Sequence, residues 1–165
     1  MGLLELSVRV IICAVLAMTV YLSTVPPLML HSEQQELLNN VNVLTHASIN
    51  KINSSRLINH CPSTITSLDV SSLIGSYLDA SWSERGENFS ISVEHKQINT
   101  QVGTSYSKPA FVHIQYVFPS VREAQRFYEL ADAIDGETVS FITAINSNDY
   151  SLNSYYNAKN GCSTL

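Results

Sequence analysis

The sequence predicts an α+β protein. A long N-terminal helix, membrane-spanning in its first half and amphipathic in its second, packs on a small antiparallel sheet. Three observations predict this. The first thirty residues hold 21 apolar side chains, and their only charges are Glu5 and Arg9. From Leu37 to Ile52, apolar residues recur at three- and four-residue steps, the rhythm of a helix with one buried face. Further on, short segments alternate apolar and polar side chains, the period of a half-buried strand.

The boundary that follows is a membrane-spanning stem helix over 1–30 and a globular head over 31–165, which includes the amphipathic second half of the helix. A chain of 165 residues holds one domain with an appendage. So unequal a distribution excludes an ordinary cytosolic enzyme, a coiled coil and a multi-span transporter. A net charge of -5 with only nine Lys and Arg leaves no basic patch for phosphates, so nucleic acid is excluded as a partner.

The stem reads VIICAVLAMTVYL from Val10 to Leu22, without a charge, and continues to Leu30 as about 20 mostly apolar residues, enough to cross a bilayer. A cleavable signal peptide needs a basic start and a small-x-small site. MGLLELSVR has one acid and one base, and YLSTVPP is a poor cleavage site. Arg9 before the span, with Glu33 and Glu36 after it, favours the N-terminus inside and the head outside. Pro26-Pro27 is expected to kink or end the helix, because proline removes a backbone donor and restricts the residue before it.

Glu5 is the unusual residue of the stem. A carboxylate inside an apolar run is costly in lipid unless paired. Glu5 and Arg9 lie four apart on one helix face and can pair with each other, or both can reach the interface. The string Met1-Gly2-Leu3-Leu4-Glu5-Leu6, followed by a long apolar helix, resembles the mature N-terminus of type IV pilins. It is most similar to the type IVb and minor-pilin branch.

The resemblance implies a pilin-like lollipop, with Met1 as the processed and N-methylated end. Glu5 is then the assembly carboxylate that meets a neighbouring subunit's N-terminus, and Arg9 is its possible intrahelical partner. It implies a structural subunit of a type IV pilus or related filament, a minor pilin that initiates, caps or decorates it. The partners are other pilin subunits through the stem, inner-membrane pilus assembly proteins and the lipid bilayer. No small-molecule substrate, cofactor or enzymatic activity is expected. The location is the bacterial inner membrane, single-pass with the head in the periplasm, or the surface pilus itself. The alternative is an unprocessed single-pass inner-membrane scaffold of a pilus or secretion machine, similar to PilM-type components.

The elements of the head follow in order. SEQQELLNNVNVLTHASINKINSSRLI reads as helix, with Ser32 as N-cap and Leu37, Leu38, Val41, Leu44, Ile49 and Ile52 as its stripe. Cys61-Pro62 ends it. A second short helix is expected over 67–78, capped by Asp69. Strands are expected over 89–98 and 111–118. Ser120 and Glu123 form a capping box that opens a helix running to about Ile134, closed by Asp135-Gly136. A strand over 139–145 precedes a polar, aromatic tail.

Cysteine usage points the same way. Cys13 belongs to the apolar run. In a periplasmic head, Cys61 and Cys162 would form a disulfide tying the tail to the stem helix, as pilin heads commonly do; two free thiols are the other reading. His31, His46, His60, His95 and His113 show no metal-ligand spacing, and Asn146, Asn148 and Asp149 carry too few acids for a hard cation. No nucleophile elbow or phosphate loop is present. Tyr150, Tyr155 and Tyr156 are expected to pack on the sheet, with a ligand-binding role as the lesser reading.

Overall fold

A computed structural model describes residues 3–99, 103, 105–145 and 162, with the side chains of 3–10 and 26–27 outside that description. The chain divides into two compact units, Met1–Asn40 and Val41–Leu165. Helix α1 (Leu3–Asn59) is 57 residues long and contributes to both.

In the first unit, every residue from Ile11 to Thr24 is exposed. A helix apolar on all sides has no polar face to turn outward, so it presents apolar surface in every direction. The proline pair does not end this helix. Each proline removes one rung of the backbone ladder, and the long helical stretches on either side keep theirs. Ser32 therefore lies inside α1 and caps nothing, contrary to the expectation above.

In the second unit, α1 buries Val41, Leu44, Ala47 and Ile52, with Leu44 fully excluded from solvent. Ile49 is only half-buried; in the first unit, Leu37 is buried and Leu38 half-buried. Thr45 and Ser48 join the stripe although they are polar. Ser48 can do so because its hydroxyl donates to the Leu44 carbonyl at 2.7 Å, so no polar group is stranded.

Among the described residues, five strands form one antiparallel sheet in the order β1-β2-β3-β5-β4. They are β1 (Ser67–Leu68), β2 (Phe89–Asn99), β3 (Ser105–Val117), β4 (Ala133–Asp135) and β5 (Thr138–Ala144). One face buries Phe89, Ile91, Val93, Val112, Ile114, Val139 and Phe141. This is the alternation read in the sequence. The ladder between β2 and β3 slips between Glu94 and His95, where His95 pairs with Pro109 and Ala110 is the extra residue. Proline offers no N–H to a ladder and is tolerated at such a bulge.

Two expected helices differ. Over 67–78 the chain forms β1, a 3-10 turn (Val70–Leu73) and a loop. Asp69 does cap, accepting from the Ser71 N–H, but Gly75 at φ 85 takes a left-handed conformation that stops a helix. Over 121–134, helix α3 (Val121–Ala124) and a 3-10 turn (Gln125–Phe127) are followed by turns and then β4. The Asp135-Gly136 pair belongs to a hairpin: Asp135 pairs with Thr138, leaving Gly136-Glu137 as a two-residue loop. Glycine at φ 59 in the first loop position suits such a turn. Ser120 caps α3 as expected, its hydroxyl accepting from the Glu123 N–H.

A further short helix, α2 (Trp82–Arg85), ends at Gly86, which is buried. A Cβ there would come within 2.6 Å of Val70 Cγ1 and 2.8 Å of the Trp82 carbonyl, so this corner closes only around glycine. Trp82 begins a row of aromatic contacts through Phe89, Tyr116 and Phe118 to Phe127, with ring centroids 4.7 to 6.2 Å apart.

Candidate functional site

The stem is the first candidate. Among the described residues it is the one helix long and apolar enough to cross a membrane; its best 18-residue window has mean hydropathy 1.9 and none of it is buried. Ile11, Val15, Leu16, Met18 and Leu22 are 55–65% exposed, so the surface is continuous and apolar. Cys13 is exposed on it as a free thiol. Glu5 and Arg9 both lie in α1, one turn apart along its backbone, and their side chains fall outside the description. Met1 lies outside the described residues altogether.

The end of α1 is the second. Cys61 is bonded to Cys162, closing a separation of 101 residues. His60 stands between the helix and this disulfide with φ 56, the left-handed conformation in which helices commonly terminate. The His60-Cys61 pair is therefore a helix terminator followed by a cross-link, and Cys61 holds no thiolate for nucleophilic chemistry. The segment beyond is fastened to the sheet by His95. Its Nε2 lies 3.1 Å from the Ser63 carbonyl, and its Nδ1 lies 3.3 Å from the Val93 carbonyl. A neutral ring has one N–H, which the shorter contact to Ser63 uses best.

The outer face of the sheet is the third. His113 Nε2–H donates to the Glu94 carboxylate at 2.9 Å, across strands and diagonally, since Ser92 is the residue opposite His113. Beside it, Ser90 donates to Gln115 at 3.3 Å, and Gln115 reaches Ser140 at 3.5 Å. Phe111, Val117 and Ile142 are 37–45% exposed on the same face. The pairing of Glu94 with His113 depends on the register, and the bulge that sets the register is not readable in the sequence.

Two carboxylates on the surface are held below the usual range. The Ser71 hydroxyl donates to Asp69 at 2.6 Å, with a weaker backbone bond from Ser71, and these lower its pKa. Asp79 is lowered first by the Ser81 hydroxyl and then by the Ser81 N–H, which donates at 2.8 Å. Both are local turns that favour the charged form. Among the described residues, no group of three His, Cys, Asp or Glu could hold a metal ion. The loop of Asn146, Asn148 and Asp149 and the tyrosines at 150, 155 and 156 lie outside the described residues. Comparison with family models, curated proteins and solved structures finds no match for this chain.

Proposed function

We propose that this chain is a membrane-held structural subunit of a type IV pilus or related filament, acting as a minor pilin. The observation that carries the reading is one helix with two surfaces. Its first part is apolar on all sides and unburied, and its second part supplies the buried stripe of an α+β head. A stem with that surface is stable in lipid or against other stems and in no aqueous compartment. The disulfide between Cys61 and Cys162 suits a head that folds in an oxidising compartment such as the periplasm.

Within this reading, Glu5 supplies the assembly contact. A carboxylate and an N-terminal amine are each costly in a low-dielectric stem bundle, and they compensate when stems meet. Arg9 and the proline pair would disturb a bundle repeated along a whole filament, which favours a subunit present in few copies. Partners are therefore other subunits of the filament and the inner-membrane machine that assembles them. The test is Glu5→Ala and Glu5→Gln in the native host. Both variants are expected to remain in the membrane fraction while filament number falls or the subunit disappears from sheared filaments. Normal filaments carrying a normal amount of either variant would sink the reading.

A further inference from the structure

We propose that the outer boundary of the bilayer's hydrocarbon core falls at Leu22–Ser23, and that the Pro26-Pro27 pair sets it there. The inference rests on the reading that the stem crosses a membrane. A helix needs about 20 residues, at about 1.5 Å each, to span the core. α1 can meet this requirement in a range of registers, of which two are the extremes. One runs from Val10 to Leu30 and leaves both Glu5 and Arg9 outside the core. The other runs from Leu3 to Leu22 and takes them in.

Hydrogen bonding decides between them. Proline has no N–H, so the carbonyls of Leu22 and Ser23, four residues before each proline, have no helical donor. With the boundary at Leu30 these carbonyls would lie about 12 and 10 Å below it, where no water can replace the donor. Neighbouring hydroxyls can rescue such carbonyls, but here they are engaged elsewhere. Thr24 Oγ1 and Ser23 Oγ both donate to the Val20 carbonyl, at 2.7 and 3.0 Å, and Thr19 Oγ1 donates to the Leu16 carbonyl at 2.8 Å.

Moving the boundary to Leu22–Ser23 brings both carbonyls to the headgroups. It places Glu5 about 3 Å and Arg9 about 9 Å inside the opposite boundary. Long charged side chains reach out from that depth, whereas a backbone carbonyl is fixed to the helix axis and cannot. The register nearer the N-terminus is therefore the cheaper one. Its consequence is that Leu28 and Met29, 67% and 64% exposed, lie at the headgroup layer and not in hydrocarbon.

The experiment uses the full chain with Cys13→Ser, reconstituted in phosphatidylcholine vesicles. Single cysteines at Leu16, Val20, Thr24 and Leu28 are labelled with a membrane-impermeant maleimide, with Ser67→Cys on the head as the exposed reference. The expected result is protection at positions 16 and 20 and reference-like labelling at 24 and 28. Adding Pro26→Ala and Pro27→Ala restores the two donors and should move protection outward by about two helical turns, covering 24 and 28. Protection of 24 and 28 in the proline-containing chain, or labelling unmoved by the alanine pair, overturns the inference. Labelling of position 16 at the reference rate would instead show that the stem is not in the membrane, and the functional reading would fall with it.

Discussion

The two parts of α1 use the same kinds of side chain in opposite ways. Between Ile11 and Thr24 the apolar residues run on and none is buried; between Val41 and Ile52 they form a stripe and most are. The difference is one of spacing more than of composition. A stripe leaves a polar face for water and so can serve as one wall of a core, whereas an unbroken run leaves water nowhere to go. Leu16 and Leu44 illustrate it: the first is 60% exposed, the second fully buried. A large part of the apolar surface of this molecule is therefore not engaged in its own folding.

The largest difference between head and stem is expected at the disulfide. Reducing it, or making Cys61→Ser, should destabilise the head by about 2–5 kcal/mol, given a loop of this length. Thermal unfolding with and without reductant measures this. The stem's helicity in detergent should not change, because the cross-link lies beyond the far end of α1. A head that melts at the same temperature after reduction would mean that the disulfide restrains nothing the native state needs.

Next comes the leucine pair itself. Leu44→Ala should cost the head about 3 kcal/mol through lost burial and a residual cavity, whereas Leu16→Ala should leave head stability within about 0.5 kcal/mol. Denaturant unfolding followed by the fluorescence of Trp82, which is buried in the head, reads both variants. Equal effects would erase the distinction between stripe and run. A smaller loss, about 1–3 kcal/mol, is expected for Gly86→Ala, because the new methyl meets Val70 and the Trp82 carbonyl. Val70→Ala in the same chain should recover part of it, since one of the two close contacts disappears.

The smallest effect concerns the capped turns. Asp69 and Asp79 have lowered pKa values in the folded chain, so their contribution is present above the usual carboxylate range. It is lost as pH falls through the depressed folded values. Both side chains are exposed and well screened, so Asp69→Asn should differ only slightly from the parent at neutral pH. The difference should vanish in acid. A difference that grew on acidification would have the wrong sign.

How much of this was legible in the sequence follows from element length. The long helix and the strands over 89–98 and 111–118 were readable because each repeats its pattern several times; 139–145 was readable as a strand from its apolar residues, but as a buried one, whereas Ile142 is exposed. Ser120 and Asp69 were readable as caps because their chemistry is local. The two- and three-residue strands β1 and β4 are too short to show any period, and their place is set by partners far along the chain. Asp135-Gly136 was misread because glycine in the left-handed region ends helices and turns hairpins alike; only the pairing of Asp135 with Thr138 distinguishes them. Thr45 and Ser48 were missed as core residues because polarity argues against burial until the bond from Ser48 to the Leu44 carbonyl is seen. Glu5 and Arg9 stand out in the sequence as the two charges of an apolar run, and the structure adds the helix that carries them.

The central claim is that this stem is a processed assembly element and not merely an anchor. The mass and sequence of the N-terminus, measured on protein isolated from its native membrane, test it most directly. The account predicts an N-methylated Met1 produced by cleavage of a longer precursor. A formylated or unmodified initiator Met1 would contradict it, and would favour a membrane scaffold that is never processed.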